Sequence, residues 1–98
     1  MLAKRYLKSK DVTKVTFYTP ASLDAEDVYL VGDFNGWSDT ATPMKLLKDG
    51  RFKVVLELES GKEYQFRYLV NGDEWHNDWK ADKYTPNPFD GDNSIVTT

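Results

Sequence analysis

Residues 28–37, VYLVGDFNGW, decide the fold that the sequence predicts. Residues 27–31 read as a strand, because Val28 and Leu30 fall on one face and their neighbours on the other. The glycines and asparagine that follow tolerate positive φ, so the chain turns sharply after the strand. Trp37 is therefore expected in a loop, where a rigid scaffold can present it for recognition. The alternative is that Trp37 folds back as a lid on the core, since tryptophan is highly buried on average.

The remainder of the chain repeats this alternation of short strands and turn residues. The dipeptides Asp49-Gly50 and Asn71-Gly72 predict hairpin turns, the first of them of type I′. No stretch has helical periodicity of useful length, and turn signals recur about every ten residues. The sequence thus predicts an all-β, antiparallel β-sandwich of six to eight strands. The other strands are expected at 3–8, 12–19, 44–47, 51–59, 64–71, 74–76 and 94–98.

Residues 77–92 are predicted to be irregular, because Pro86, Pro88 and Gly91 interrupt regular structure. A loop of this length in a compact domain is usually functional or disordered. The aromatic residues that it contains favour an ordered loop.

Size and composition narrow the possible classes of protein. Ninety-eight residues predict one domain spanning 1–98, and the absence of cysteine excludes disulfides and thiolate sites. The net charge of −3 argues against nucleic acid as a main partner. The basic cluster from Lys4 to Lys10 is interpreted as the solvent face of an edge strand. No apolar run is long enough to cross a bilayer, so no membrane partner and a cytoplasmic location are expected.

Catalytic and metal-binding interpretations find little support. The 16 acidic residues include no motif that fixes the carboxylate separation of a glycosidase. His76 is the only histidine and has no nucleophile motif nearby. Asp90, Asp92 and Ser94 imitate the start of a calcium loop, but Ile95 occupies the position where glycine is expected. Neither an enzyme nor a metal or other cofactor is predicted.

Four segments in order carry a resemblance to a known family: VYLVGDFNGWS, MKLLKDGRFKVVLEL, YQFRYLVNGDEW and DNSIV. From about Asp27 to Thr98 the chain resembles the glycogen-binding modules and early-set domains of isoamylases, glycogen branching enzymes and the β subunit of AMP-activated kinase. The whole chain also looks like stand-alone bacterial early-set proteins. The resemblance implies an immunoglobulin-like early-set sandwich that binds α-1,4-linked glucans without catalysis. It leaves open whether such a module acts alone or with a glycogen-metabolising enzyme.

The same resemblance implies a set of carbohydrate-binding residues. In the kinase-type modules two tryptophans stack on glucosyl rings, and these match Trp37 and Trp75. Their basic strand residue matches Arg67, although those modules have lysine there. Their C-terminal asparagine matches Asn93, and their inserting apolar residue matches Phe89, where the family has an aliphatic residue. Trp79 has no counterpart in the kinase modules.

These residue types suit a sugar. A pyranose offers a face of C–H groups and an equator of hydroxyls, which flat aromatic rings and hydrogen-bonding side chains complement. Arg67 alternates with Phe66 and Tyr68 and is expected to point into solvent if those two are core.

Each site residue also has a structural alternative. Trp75 and Trp79 can cap the core, the more favoured interpretation for Trp79. Arg67 can be a solvated charge, and Asn93 can cap a turn. The alternative function is an interaction or structural early-set domain that binds no sugar.

Overall fold

The computed structural model describes residues 1–87 and 91–98. The described residues contain nine strands and two single-turn 3-10 helices, at Ala21–Leu23 and Asp33–Asn35. Two antiparallel sheets form a sandwich, which confirms the predicted architecture. The strands are β1 (Leu2–Leu7), β2 (Val12–Tyr18), β3 (Val28–Gly32), β4 (Lys45–Leu46), β5 (Phe52–Glu59), β6 (Glu63–Val70), β7 (Glu74–His76), β8 (Lys83–Asn87) and β9 (Gly91–Thr97).

One sheet has the strand order β1-β2-β5-β4, and the other has the order β3-β6-β9-β8 with β7 also paired to β6. The central strand β6 pairs with β3 along one edge. Its other edge is shared, because residues 63–66 pair with β9 and residues 68–70 pair with β7. Arg67 therefore lies where β7 and β9 meet end to end.

The core forms where the inward faces of the two sheets meet. Alternation along β2 and β6 buries an aromatic group in which the Phe17 and Phe66 rings lie 5.2 Å apart, edge to face. Tyr68 continues the group at 5.7 Å from Phe66. Aliphatic residues from both sheets complete it: Val15, Val28, Leu30, Leu58, Val70 and Val96. The period-two pattern of the sequence thus predicts the core side of each long strand.

The prediction that residues 77–92 lack regular structure is wrong for part of that segment. Lys83–Asn87 forms β8, which pairs with β9 and places Pro86 opposite Asp92. Proline is tolerated there because β8 is an edge strand and needs to hydrogen-bond on one side only. This strand is one reason why the structure has nine strands instead of six to eight.

The hairpin at Asp49-Gly50 is confirmed, but its predicted turn type is wrong. A type I′ turn needs positive φ at both central residues, and only Gly50 has it, with φ of 91°. The turn begins two residues earlier, where the Gly50 N–H donates to the Leu47 carbonyl at 3.1 Å. Positive φ at two successive residues occurs instead at Asn71 and Gly72, with 53° and 80°.

Candidate functional site

The outer face of the five-stranded sheet carries most of the residues singled out from the sequence. Trp75 pairs with Leu69, so it shares a face with the alternate β6 residues Leu69, Arg67 and Gln65. Ile95 pairs with Gln65, which brings Ile95 and its strand neighbour Asn93 to the same face. Arg67, Trp75 and Asn93 are therefore brought together on one side of one sheet.

The expectation that Arg67 points into solvent is wrong. The side chain leaves the outer face as predicted, but the residue is only 8% exposed. Its Nε and Nη2 atoms donate to the Asp92 carbonyl at 3.1 and 2.9 Å, and Asn77 donates to the same oxygen at 2.8 Å. The guanidinium thus covers the place where β7 and β9 meet, because the ladder of β6 changes partner there.

Asn93 is also buried, at 7% exposure, and lies within β9 instead of capping a turn. Its Nδ2 donates to Gln65 Oε1 at 3.0 Å, and its Oδ1 accepts from Asn87 Nδ2 at 3.1 Å. Three side-chain amides from β6, β9 and β8 therefore form one ladder across the sheet. An amide that is held at both ends has a fixed orientation, which a recognition surface requires.

Trp37 follows the 3-10 helix that comes after β3, and its backbone is in the left-handed region with φ of 58°. Its N–H donates to the Gly32 carbonyl at 2.9 Å, which folds the chain back on the strand. The indole Nε1 donates to Asp33 Oδ1 at 2.9 Å, and Asp33 Oδ2 accepts from the Gln65 N–H at 2.8 Å. One carboxylate therefore ties the indole to β6, while the residue stays 38% exposed.

Gly32 allows this turn to lie against β6. A Cβ at this position would stand 2.5 Å from the Gln65 carbonyl oxygen and 2.8 Å from Phe66 Cβ. The φ of Gly32 is extended, so steric space and not backbone conformation requires the glycine. Asn35 holds the turn from inside, since its Oδ1 accepts from the Gly32 N–H at 3.1 Å and its Nδ2 donates to the Leu30 carbonyl at 2.9 Å.

The other two tryptophans differ in what they touch. Trp75 is 46% exposed on the outer face of β7. The Trp79 ring packs on the ring of Tyr68, with the ring centres 5.4 Å apart, and stacks on the ring of His76, with the centres 6.0 Å apart. Trp79 is 36% exposed. Both ring partners lie on the inward side of the sheet, so Trp79 closes an edge of the core. This contact is the capping arrangement favoured for Trp79 from the sequence.

A buried carboxylate fixes the segment around Trp79. The Asp78 side chain is fully buried and accepts from the Tyr68 hydroxyl at 2.6 Å and from the Lys80 N–H at 2.7 Å. It also pairs with the amino group of Met1. Burial raises the pKa of the Tyr68 hydroxyl well above its usual range, and the neighbouring carboxylate of Asp78 raises that pKa further.

Sequence reasoning missed Asp33, Gln65 and Asp78. Asp33 lies in the turn after β3 and Gln65 lies on β6, and their roles depend on the β3–β6 register, which no local pattern encodes. Asp78 lies beside Trp79 in the segment predicted to be irregular, where no period indicated burial. Phe89, predicted to insert into the ligand, lies outside the described residues.

The family model for carbohydrate-binding module 48, the isoamylase N-terminal domain, matches residues 5–85. The chain belongs to this family. The match covers most of the sandwich, including the turn before Trp37, the buried Arg67 and the hairpin that carries Trp75. It confirms the resemblance and the early-set, immunoglobulin-like architecture that the resemblance implied. The family is a binding module and not a catalytic domain.

Curated relatives share parts of this module. Protein PTST homolog 2, chloroplastic, of Arabidopsis thaliana is 39% identical over 62 residues, which is 63% of this chain and 10% of that protein. The 1,4-alpha-glucan branching enzymes GlgB of Butyrivibrio fibrisolvens and Aquifex aeolicus are 31% and 33% identical, over 69% and 78% of this chain. The chain spans 11% and 12% of the length of these two enzymes.

Two further observations concern the described residues alone. Within residues 1–87 and 91–98 no group of three histidine, cysteine or acidic side chains is placed to hold a metal ion. No helix in the same residues is long and apolar enough to cross a membrane.

Proposed function

We propose that this module binds α-1,4-linked glucans such as glycogen, starch and maltooligosaccharides, with Trp37 and Trp75 as the two stacking surfaces. The single observation that supports this most is an ordered polar floor beside the exposed indole of Trp75 on one sheet face, with the exposed indole of Trp37 linked to the same sheet through Asp33. The floor consists of the guanidinium of Arg67 and the amide ladder through Asn93. The glucan branching enzymes among the relatives support the substrate class.

The register gives the separation of the backbone positions that anchor Trp37 and Trp75. Trp37 is hydrogen-bonded beside Gly32, which pairs with Phe66, whereas Trp75 pairs with Leu69 on the opposite side of β6. Three residues along β6 and two strand spacings across it separate the two backbones by about 14 Å. One sugar ring cannot bridge this distance, so the site favours glucan chains over single glucose units.

We propose different roles for the remaining predicted residues. Arg67 and Asn93 are buried and already hydrogen-bonded, so they fix the floor and offer a sugar hydroxyl only their outer edges. Gln65, which is half-buried and ends the amide ladder, is the better placed donor at the surface. Phe89 keeps its predicted role as an inserting residue.

The energetics predict weak binding. Covering each indole with a sugar face removes roughly 50–100 Å² of apolar surface from water, which is worth about 1–2.5 kcal/mol. Two such contacts and a few hydrogen bonds at about 1 kcal/mol each barely exceed the cost of association. We expect a Kd of roughly 10 μM to 1 mM for a long oligosaccharide.

The second candidate function is that the module contacts a protein such as a glycogen-metabolising enzyme and binds no sugar. The observation behind it is that Trp37 already donates its indole N–H to Asp33, as a tryptophan held for structural reasons would. The single domain over 1–98 and the cytoplasmic location expected from the sequence stay predictions.

Calorimetric titration with maltoheptaose and β-cyclodextrin separates the two functions. The proposal expects saturable binding of both, little binding of glucose, and a loss of affinity of about tenfold or more in Trp37→Ala and in Trp75→Ala, since each loses one stacking surface. Trp79→Phe is the matched control, because it removes the third indole but keeps a ring on Tyr68 and His76. Its affinity should stay within about twofold of the parent.

Two results would count against glucan binding at this site. No heat with any oligoglucan at millimolar concentration would favour the protein-interaction function. Binding that Trp79→Phe abolishes and Trp37→Ala spares would move the sugar to another surface.

A further inference from the structure

The outer face of the four-stranded sheet, on the opposite side of the sandwich, concentrates positive charge. We define the basic face as Arg5, Lys14, Lys45 and Lys53, whose side chains point outward from β1, β2, β4 and β5 by the strand register. Three of the four are exposed and Lys53 is half-buried. Between them lies a floor of small and apolar side chains from three neighbouring strands: Ala3, Thr16 and Val55.

Like charges stand directly opposite each other on this face. Arg5 pairs with Lys14, and Lys45 pairs with Lys53. Such cross-strand pairs are destabilising unless an anion compensates them. Within the described part of the chain, none of the four cations has an ion pair within 4.0 Å. Glu57 is the cross-strand neighbour of Lys14, but its ion pair is with Lys10 at 3.5 Å.

Protection of sheet edges explains only half of the set. Lysines on edge strands discourage pairing between molecules, which accounts for Arg5 on β1 and Lys45 on β4. Lys14 and Lys53 lie on the central strands β2 and β5, which have partners on both sides. Edge protection therefore does not explain their placement.

The charge of the face is opposite to that of the whole chain. The sequence has 13 basic and 16 acidic residues, for a net charge of −3. This face instead has four cations, with no ion pair among the described residues, against the two carboxylates Glu57 and Glu59 on the same side of β5. The two like-charged pairs are separated along β2 by four residue steps, from Lys14 to Tyr18, or about 13 Å. A shallow cavity of about 180 Å³ lies at one end, lined by Ala3, Lys4, Arg5, Lys14 and Thr16.

We propose that the basic face binds an acidic protein surface, with carboxylates seated at the two cationic pairs and side-chain carbon on the floor between them. A protein partner fits better than a nucleic acid. The floor consists of small and apolar side chains, and at its border Arg51 lies 4.6 Å from the ring centre of Tyr18, two residue types that are enriched in protein interfaces.

The proposal does not depend on glucan binding, because the two faces lie on different sheets. Backbone amide NMR of the ¹⁵N-labelled protein at low salt, titrated with a deca-glutamate peptide, is the test. We expect shifts on β1, β2 and β5 that salt suppresses, and an affinity about fivefold lower in Lys14→Gln/Lys53→Gln. Lys8→Gln/Lys48→Gln is the matched control, since it removes the same charge from two exposed turn positions. That control should change the affinity less than about twofold.

Three outcomes overturn the proposal. Shifts spread over all exposed lysines would show that the peptide senses charge alone. An equal loss of affinity in the two double variants would show the same. Tighter binding of an oligothymidylate of matched length at this face would assign it to nucleic acid instead. Maltoheptaose affinity, measured in the same samples, reports separately on the glucan site.

Discussion

The outer faces of the two sheets both carry cations on central strands, but the surroundings of those cations differ. Arg67 on β6 is 8% exposed and hydrogen-bonded to the end of β9, whereas Lys14 on β2 is exposed and stands opposite another cation. On the five-stranded sheet, folding has already ordered the polar groups. On the four-stranded sheet, the charges are left to solvent or to a partner.

This difference has an energetic meaning. Ordering a long side chain costs conformational entropy, and on the five-stranded sheet that cost is met during folding, so less remains for a weakly held sugar to overcome. The exposed lysines keep their freedom, and charges of that kind contribute more to the rate and selectivity of encounter than to affinity. We therefore expect mutations on the outer face of the five-stranded sheet to lower both stability and binding. Mutations on the basic face should lower binding alone.

The largest effect is expected at Gly32, where the ordered face joins the Trp37 turn. In Gly32→Ala the new methyl group would collide with the Gln65 carbonyl, which is backbone and cannot rotate away. We expect the free energy of unfolding, from urea denaturation, to fall by about 3 kcal/mol. Gly61→Ala is the control, since its Cβ meets open space and only its left-handed φ of 75° costs about 1 kcal/mol. Equal losses in the two variants would show that the close approach to β6 is unimportant.

The next largest effect is expected at Arg67, the cation that folding orders. Arg67→Ala removes both guanidinium hydrogen bonds to the Asp92 carbonyl and leaves the β7–β9 junction uncovered, so we expect a loss of about 2–3 kcal/mol in urea denaturation. Arg67→Lys keeps the charge but not the paired donors, and should fall between the parent and the alanine variant. A loss below about 0.5 kcal/mol in Arg67→Ala would remove the distinction between the two faces.

The third effect concerns Tyr68, on the inward side of β6. Because the pKa of Tyr68 is raised in the folded state, its hydroxyl keeps its proton when unfolded tyrosines ionise. The resulting stabilisation is complete below the unfolded pKa of about 10 and is lost as the pH rises above it. Thermal melts between pH 8 and 11 should show stability falling above about pH 10.

Tyr68→Phe sharpens that measurement. It loses the hydrogen bond to Asp78 and so starts less stable at pH 8, but its stability should fall less steeply above pH 10. Tyr29→Phe, on the half-buried β3 outer position, is the control and should keep the slope of the parent. Parallel slopes for the parent and Tyr68→Phe would assign the alkaline loss to other groups.

The comparison also shows what the sequence can predict. Alternation along β5 and β6 gives the inward residues correctly, because side-chain period and burial are the same physical fact in a strand. It cannot give the burial of Arg67, which follows from β7 and β9 meeting at one point of β6 and depends on pairings between distant residues. The same limit hid β8, since proline rules out a central strand but not an edge strand.

The residues of the candidate site also differ in how far local sequence predicts their positions. The exposed indole of Trp75 follows from one hairpin and one register, and the NG turn before it indicates both. The position of Trp37 depends on Asp33 reaching across to the Gln65 N–H, a contact between a turn and another strand. Local sequence therefore predicts which residues are available to a ligand, and the register decides how they are held.

The smallest effect is expected for Lys14→Gln, and it completes the comparison with Arg67. The lysine is exposed and has no ion pair among the described residues, and one of its two cross-strand neighbours is the like-charged Arg5. Removing its charge relieves that repulsion and gives up only a screened attraction to Glu57. We expect the free energy of unfolding to change by less than about 0.5 kcal/mol, measured by urea denaturation at low and high salt. A loss as large as that of Arg67→Ala would mean that the basic face stabilises the fold, and its four cations would then need no partner to explain them.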